Sequence, residues 1–427
     1  MRKKGLCIVL AVCMMVFSLT ACAGTSGESG GASVTLTFLN SKGEIQSALE
    51  DLAKLYREKT GVAIEIIACP AGGSPFEKIS TMYNSGTPPT MAMLDTTDIV
   101  ALYRERALDL SGERWVEDGG GQVYRIEGSV YSFPLGVEAK GLIYNKTIIE
   151  TTLGRPFDPK EINTQDKLRS LFEELQQAGV PPMCLSKEDW SLGSHVIGYF
   201  YESQSQELDE ITEFTNSLRR GEVDVAEDPR FNGLMDTFDI LREYNISKDN
   251  PLAADYAVDP SYIADGEVAF WFNGNWAWPN IVDFIEGEQE LGLMPMPISN
   301  DPEDFANQVL LGTGSKQVMI DKVKASEEEV QAAKDFLNWL VYDPDGQKGM
   351  AQDLNLVPAF SNIQLSPTDP LGQTIQAYVR EGATVFGPII PSDHWSIVGA
   401  YMQQYLAGKS DRVELANNIE KYWMSLE

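Results

Sequence analysis

Apolar and polar residues follow one another along the early chain in the order typical of a strand, a helix and a strand. In SVTLTFLN (residues 33–40), Val34, Leu36 and Phe38 alternate with other residues and fall on one face, which predicts a strand. Residues 45–56 then repeat apolar side chains at helical spacing, and Gly61 supplies the helix stop. VAIEIIAC (residues 62–69) predicts a second strand. This order predicts a right-handed crossover and a parallel sheet.

The next segments extend the same alternation of elements. FEKISTMYNSG predicts a helix, and TMAMLD predicts a third strand that ends at Asp95. The chain therefore begins as a doubly wound α/β fold, in which ligands bind beyond the carboxyl ends of the strands. The polar residues directly beyond such ends are Asn40, Ser41, Lys42, Glu44, Asp95 and Asp98.

The first 22 residues have the pattern of a secretory signal. Three basic residues precede an apolar run that is too short to span a bilayer as a mature helix. LTAC resembles the lipobox of bacterial lipoproteins, in which the cysteine, here Cys22, carries a lipid that anchors the protein to the outer face of the membrane. The alternative is an ordinary cleavage site. The lipobox is favoured because the small residues and the cysteine coincide with the end of the apolar run. Residues 23–33 are small and polar and predict a flexible tether.

Composition narrows the range of partners. The formal charge of −30 becomes about −33 when three basic residues leave with the signal, so nucleic acid is a poor partner. Only Cys69 and Cys184 follow residue 22, so one disulfide is possible but a framework of several disulfides is not. His195 and His394 are the only histidines and form no Cys/His cluster, so we expect no metal site and no cofactor. The remaining length, about 400 residues, predicts two domains.

Four stretches carry a family resemblance through their order and spacing. They are TLTFLNSKGEIQSALEDLAKLYREKTGVAIEI, YSFPLGVEAKGLIYNK, YIADGEVAFWFNGNWAW and AAKDFLNWLVYDPDGQKGM. Together they resemble the extracellular solute-binding proteins that serve ABC importers, in the sugar-binding family that includes maltose-binding protein. The resemblance covers nearly the whole mature chain.

The resemblance implies an α/β fold of two lobes, each a mainly parallel sheet flanked by helices, joined by a hinge around a sugar-binding cleft. It places the passages between the lobes near residues 136–139, 292–297 and 343–346. The expected lobes are residues 34–136 plus 297–343 for lobe 1 and residues 137–296 plus 344–427 for lobe 2. Cys69 and Cys184 then lie in different lobes, where a disulfide would lock the hinge, so we expect both to be unpaired.

A sugar site needs planar polar groups for the hydroxyls and aromatic rings for the C–H faces. Glu138 can accept two hydroxyl hydrogen bonds, and its similarity to the family's VEA motif favours this role over a solvated or salt-bridged glutamate. Lys42 and Glu44 either offer complementary groups to adjacent hydroxyls or belong to a capped helix start. Of Asp95 and Asp98, one is expected to cap the next helix and one to face the cleft, and we favour Asp95 for the cleft.

A late loop supplies further candidates directly before an amphipathic helix. Asp393 provides an acceptor or a helix cap, His394 a switchable donor, and Trp395 a ring. The family commonly places contacts from the second lobe at this loop. The Lys-x-Glu and Asp-His pairs resemble members that take up raffinose-like or isomaltose-like oligosaccharides, so α-1,6-linked galactosides or glucosides are the expected ligands.

The stretch FWFNGNWAWPN (residues 270–280) raises the question of which tryptophan contacts a ligand. The Gly-Asn pair breaks the strand and places Trp276 at a helix start beside a strand end, where we expect the platform for a sugar ring. Asn273 is the expected hydroxyl partner, and Trp278 packs or lines the cleft rim. Trp190 either packs in the core or forms a second platform.

Three classes of function remain at this stage. A glycoside hydrolase stays open because 63 acidic residues guarantee candidate carboxylate pairs, and a polyamine site could use carboxylates with aromatic walls. The signal, the tether and the two-lobe pattern favour a receptor and not an enzyme. We therefore expect a monomer that captures an oligosaccharide, delivers it to an ABC transporter permease, and touches the membrane only through its lipid anchor.

Overall fold

The computed structural model of this chain describes residues 34–69, 73–313 and 316–426. The predicted signal peptide, the tether and Cys22 lie outside these residues. Within them, no helix combines the length and the apolar character needed to cross a bilayer.

The described residues form strands and α-helices in alternation, joined in places by single 3₁₀ or π-helical turns. The strands are β1 (Thr35–Asn40), β2 (Ala63–Ala68), β3 (Met91–Leu94), β4 (Phe133–Pro134), β5 (Glu138–Asn145), β6 (Met183–Cys184), β7 (Phe270–Gly274), β8 (Leu291–Met294), β9 (Leu310–Thr313), β10 (Gln317–Ile320) and β11 (Thr384–Phe386). The α-helices are α1 (Gln46–Thr60), α2 (Pro75–Asn84), α3 (Thr96–Leu102), α4 (Trp115–Gly119), α5 (Lys146–Leu153), α6 (Gln165–Gln177), α7 (Ile197–Glu202), α8 (Leu208–Arg219), α9 (Pro229–Glu243), α10 (Asp259–Ala264), α11 (Trp278–Ile281), α12 (Glu327–Tyr342), α13 (Pro344–Lys348), α14 (Pro370–Arg380), α15 (His394–Leu406) and α16 (Arg412–Met424).

The first sheet has the strand order β2-β1-β3-β10-β4. Strand β1 pairs in parallel with β2 and β3, which confirms the predicted strand–helix–strand start, and β10 is antiparallel to both of its neighbours. Helix α1 covers this sheet because Leu49, Leu52 and Tyr56 form one buried stripe. Helix α12 packs on the same sheet, with the ring of Phe336 centred 6.5 Å from that of Phe38.

The second sheet has the order β11-β9-β5-β7-β6, and β8 also pairs with β5. Strand β5 is antiparallel to β7, β8 and β9, while β6 and β11 run parallel to β7 and β9. Within this sheet every strand except β5 therefore runs in one direction. The residue after Lys140 is Gly141, where β5 passes so close to the Met294 carbonyl that a Cβ atom has no room.

The chain passes between the two sheets at three places. The first passage is 135–137, between β4 and β5; the second joins β9 to β10; the third is 361–369, between α13 and α14. We call residues 34–134 plus 317–360 lobe 1 and residues 138–313 plus 370–426 lobe 2. The predicted first boundary falls within the first passage.

The other two predicted passages, near 292–297 and 343–346, are wrong. Residues 291–294 form β8, which pairs with β5, and Ile298 beyond it is buried in the core of lobe 2. The prolines of LGLMPMPI thus end the strand without moving the chain to lobe 1. Asp343 caps α13, and Gly349 just after that helix packs on Leu52 of α1, so this segment stays in lobe 1.

Both cysteines of the described residues are buried and free, which confirms the prediction that they are unpaired. Cys69 follows β2 in lobe 1, and Cys184 lies in β6 of lobe 2. Cys69 and Cys184 therefore form no disulfide between the lobes.

Candidate functional site

Three charged side chains meet beside the first passage between the lobes. The Nζ atom of Lys42 lies 2.5 Å from Oε1 of Glu138 and 2.8 Å from Oε1 of Glu44. Asn40, the last residue of β1, fixes the turn: its Oδ1 accepts from the Lys42 amide at 2.9 Å and its Nδ2 donates to the Lys42 carbonyl at 2.9 Å. Burial alone would lower the pKa of Lys42, but the two carboxylates outweigh it and raise that pKa above its usual value. The structure thus brings these three predicted site residues together.

A group of aromatic rings lies on lobe 2. The centroid of the His195 ring is 5.4 Å from that of Trp190 and 4.6 Å from that of Trp276. Tyr256 extends the group, with its ring 5.1 Å from Trp190 and its hydroxyl 3.4 Å from Nδ2 of Asn273. Three predicted candidates, Trp190, Asn273 and Trp276, therefore belong to one cluster. We call these five residues the aromatic cluster.

Two close backbone contacts position the rings of this cluster. Trp190 leads into a π-helical turn, Ser191–Val196, which carries His195. Gly193 in that turn packs so closely on the Trp395 carbonyl of α15 that a Cβ atom has no room. Gly274, at the end of β7, is likewise in contact with the Trp276 ring. π-Helical segments occur mostly as single turns within α-helices, frequently at functional sites, which fits the position of His195.

The aromatic cluster borders the charged group around Lys42. Burial raises the pKa of Tyr256 to about 12, and the charge of Glu44 adds to this shift. Asn275, one residue before Trp276, accepts a hydrogen bond from the Ala139 amide at 3.2 Å, next to Glu138. The end of β7 and the start of β5 therefore bring aromatic rings and carboxylates to the same place.

A second ion pair lies beneath the aromatic cluster. Nζ of Lys140 is 2.8 and 2.6 Å from the two carboxylate oxygens of Glu202, and their side chains are 2% and 9% exposed. Burial raises the pKa of Glu202, although Lys140 opposes the shift. Gly387 packs against this carboxylate, and its carbonyl accepts a hydrogen bond from the Tyr124 hydroxyl of lobe 1 at 3.3 Å. The Tyr124 bond is thus a direct contact between the two lobes.

Asp95 does not cap the helix that follows it. It occupies the N-cap position of α3 without a side-chain capping bond, and its carboxylate oxygens lie 2.7 and 2.8 Å from Nζ of Lys316. Lys316 belongs to the second passage and is close enough to His195 to help lower the pKa of that ring. Asp98 is buried beside this pair, and burial followed by the charge of Asp95 raises its pKa to about 7.

Two of the three predicted site residues in the loop before α15 have packing roles. His394 is fully buried, with Nε2 2.9 Å from the Tyr201 hydroxyl and with aromatic rings on its other sides. Its predicted ligand contact is therefore wrong, because the first residue of α15 faces the core of lobe 2. Asp393 accepts a hydrogen bond from Tyr422 at 2.8 Å and so ties α15 to α16. Trp395 is half-buried and touches the π-helical turn through its carbonyl.

His195, Tyr256 and the Lys140–Glu202 pair are not among the site residues that the sequence predicts. His195 follows Trp190 by five residues, a spacing that does not share a face of an α-helix but does so in a π-helical turn. The rarity of histidine was the one feature of the sequence that could have marked His195 as a candidate site residue, since the chain has only two histidines. Tyr256 lies in an irregular segment between α9 and α10, where periodicity gives no orientation.

Other parts of the described structure offer weaker candidates. Two open hollows on lobe 2 have volumes of about 580 and 750 Å³. The arginine that lines each hollow is already paired with an aspartate of the same hollow, Arg230 with Asp304 at 2.5 Å and Arg242 with Asp239 at 3.1 Å. Among the described residues, no group of three or more His, Cys, Asp or Glu side chains is arranged to hold a metal ion.

Comparisons with known proteins agree with this architecture. Residues 51–377 match the family model of the bacterial extracellular solute-binding proteins. The chain is 23% identical over 415 residues to the multiple sugar-binding protein of Streptococcus mutans serotype c, covering 89% of each protein. The structure of RafE in complex with raffinose has a TM-score of 0.74 at 18% identity, covering 92% of this chain and 99% of that one. Maltose-bound MalE3 of T. maritima has a TM-score of 0.70 at 18% identity, with the same coverage.

These solved neighbours are two-lobed solute-binding proteins, so the predicted fold class is confirmed. The family match spans both lobes and all three passages between them. This chain belongs to the family of bacterial extracellular solute-binding proteins.

Proposed function

We propose that this protein is an extracytoplasmic, lipid-anchored substrate-binding protein that captures an oligosaccharide between its lobes and delivers it to an ABC transporter permease. One observation carries the proposal: aromatic rings and fixed ion pairs converge beside the passages that join the lobes. Rings suit the C–H faces of sugars, and carboxylate and ammonium groups suit their hydroxyls. The multiple sugar-binding protein of S. mutans and the maltotriose-binding protein of Pyrococcus abyssi are sequence relatives that support a sugar ligand.

The charge balance of the site favours a neutral ligand over a polyamine. Glu44 and Glu138 are held by Lys42, and Glu202 is held by Lys140. Asp95 is held in the same way by a lysine of the second passage. A cation would have to compete with three ammonium groups that are already in place, whereas sugar hydroxyls can bond to both members of each pair.

The expected ligands are α-1,6-linked galactosides or glucosides. Raffinose and stachyose contain such a linkage, and they are the sugars bound in the solved structures of RafE and of a Bacillus licheniformis sugar transporter protein. The identity between this chain and each of those proteins is below 20%, so the sugar has to be established by titration.

Cleft closure is the mechanism that this arrangement supports. Lys42 comes from lobe 1 and the aromatic cluster comes from lobe 2, so a ligand that touches both stabilises the closed arrangement by its differential affinity. The bond from Tyr124 to the Gly387 carbonyl is a contact between the lobes that opening of the cleft would have to break. The carboxylates of the site are engaged with lysines, and the protein is expected to bind its sugar without hydrolysing it.

Titration of intrinsic tryptophan fluorescence tests the proposal. Raffinose, melibiose, isomaltose and maltose are compared with spermidine, and saturable change with a sugar but without released product is expected. Trp276→Ala should weaken binding by about thirtyfold, because a central tryptophan platform is worth about 2 kcal/mol. Trp339→Ala is the matched control, since Trp339 is also half-buried but packs on Tyr56 in lobe 1 and should leave affinity unchanged.

Each other outcome of this titration points to a different conclusion. Saturable change with spermidine alone would replace the sugar with a polyamine, and turnover of a glycoside would make the protein a hydrolase. Unchanged affinity in Trp276→Ala would remove that ring from the site.

A separate experiment tests the lipid anchor. Cys22→Ser should abolish incorporation of labelled fatty acid and release the protein from the membrane fraction, and retained label would exclude this anchor.

A further inference from the structure

We propose that His195 is a specificity-determining residue of this site, which places an uncharged ring nitrogen beside Trp276 for one hydroxyl of the ligand. The inference rests on the proposed function, since it assumes that a sugar occupies the site. It assigns a role to a side chain that lies outside the charged groups and the tryptophan platform.

The first support is the position of the ring. His195 is wedged between two tryptophans, with ring centroids 5.4 Å from Trp190 at a 72° angle and 4.6 Å from Trp276 at 47°. The π-helical turn that carries it is fixed on α15 through Gly193, so the ring has a rigid mount. A polar group held beside an aromatic platform meets the hydroxyls at the rim of a stacked sugar ring.

The second support is an unused hydrogen-bonding atom. Nδ1 of His195 is buried and has no hydrogen-bond partner among the described residues. Buried polar atoms are nearly always paired, and each exception calls for an explanation. Nδ1 of His394 is also without a partner, but the other nitrogen of that ring, Nε2, is paired with the Tyr201 hydroxyl inside the core. A ligand hydroxyl, reached by a small rotation of the His195 ring, would supply the missing partner.

The third support is the charge state of the ring. Burial, followed by the charges of Lys140 and Lys316, holds the pKa of His195 well below its usual 6.5. These two ammonium groups are paired with Glu202 and Asp95, which face the same region. A neutral imidazole has one donor and one acceptor, which matches a hydroxyl that can both donate and accept. An imidazolium has two donors and no acceptor, so it could donate to a hydroxyl but could not accept a hydrogen bond from one.

The experiment separates a hydrogen-bonding role from a spacer role. The sugar among raffinose, melibiose, isomaltose and maltose that binds the wild-type protein most tightly is carried forward with its set of monodeoxy derivatives. His195→Phe keeps a ring between the tryptophans but removes both nitrogens. It should bind the parent sugar about tenfold more weakly in calorimetric titration, as expected for one buried hydrogen bond. For one monodeoxy derivative, wild type and His195→Phe should bind with equal affinity.

Two control variants and a pH series separate the hydrogen-bonding role of His195 from other causes of weaker binding. Ser194→Ala, on the same turn, should bind every sugar as the wild type does, and His195→Gln should recover part of the lost affinity because an amide both donates and accepts. In the Asp98→Asn background, which removes the nearby carboxyl group whose pKa is about 7, affinity should stay level between pH 6 and 8. A uniform loss across all derivatives, no loss, or a change of affinity centred near pH 6.5 would overturn the role of His195. If the wild type binds no sugar of the set, the proposed function fails and this inference fails with it; thermal melts establish that each variant is folded.

Discussion

Gly274 is the position at which one added methyl group perturbs the site most directly. A Cβ atom there would overlap ring atoms Cζ3 and Cη2 of Trp276 and would lie 2.5 Å from the Ala139 carbonyl oxygen. Ordinary contact begins at 3.4 Å, so the carbonyl alone would have to retreat by about 1 Å. We therefore expect Gly274→Ala to drive the Trp276 ring from its place beside His195.

The expected losses in stability and in affinity have different sizes. Overpacking of a tight position costs about 1–3 kcal/mol in the free energy of unfolding. Displacement of a tryptophan platform costs about 2 kcal/mol in binding, which is about thirtyfold in Kd. Gly274→Ala and Trp276→Ala remove the same interaction, so the double variant should bind no more weakly than the weaker single variant.

Two measurements are needed, calorimetric titration with the sugar established for the wild type and urea unfolding. Gly43→Ala is the matched control, because Gly43 also lies beside the site and a Cβ atom there would have no neighbour within 4 Å. It should leave both quantities unchanged. Wild-type affinity in Gly274→Ala, with a normal free energy of unfolding, would refute the account of how Trp276 is positioned.

Two further predictions concern buried charges. Glu202→Gln leaves the Lys140 ammonium, 2% exposed, without its counter-charge and should cost about 3–5 kcal/mol in urea unfolding; a loss below about 1 kcal/mol would contradict this. The second concerns Asp98, whose pKa is raised from 3.8 to about 7 by burial and then by Asp95. Its protonated form suits the fold, so its contribution is complete below pH 4 and is lost as the pH rises through 7. Asp98→Asn should match the wild type in stability near pH 4 and exceed it at pH 8, by up to about 4 kcal/mol; equal pH dependence of the two proteins would contradict this.

Elements with a strong local pattern could be predicted from the sequence. The predicted strand, helix and strand at the start of lobe 1 are correct. The reason is that buried and more exposed residues alternate at the start of β1, α1 carries a clear apolar stripe, and Gly61 has the positive φ of a helix stop. Lys42, Glu44 and Glu138, whose side chains meet, could be predicted to lie near one another because they follow or begin strands. Strand ends meet at one edge of an α/β sheet whatever the details of packing.

Features that depend on tertiary packing could not be predicted in this way. The prolines after β8 end a strand in any context, but only its pairing with β5 shows that the chain stays in lobe 2. His394 begins an amphipathic helix, and only the packing of α15 on α16 shows that it faces the core. His195 lies in a π-helical turn, whose spacing departs from the α-helical pattern used to assign faces.

The ion pair between Lys42 and Glu138 joins the two sides of the first passage, since one partner follows β1 and the other begins β5. Under the proposed function, the same two side chains are part of the hinge and part of the surface offered to a ligand. Because each already holds the other in place, little side-chain entropy remains to be lost when a sugar arrives. If the two side chains act as proposed, a substitution at either position would change both how tightly a ligand is held and how readily it is released, so capture and release are coupled at this pair.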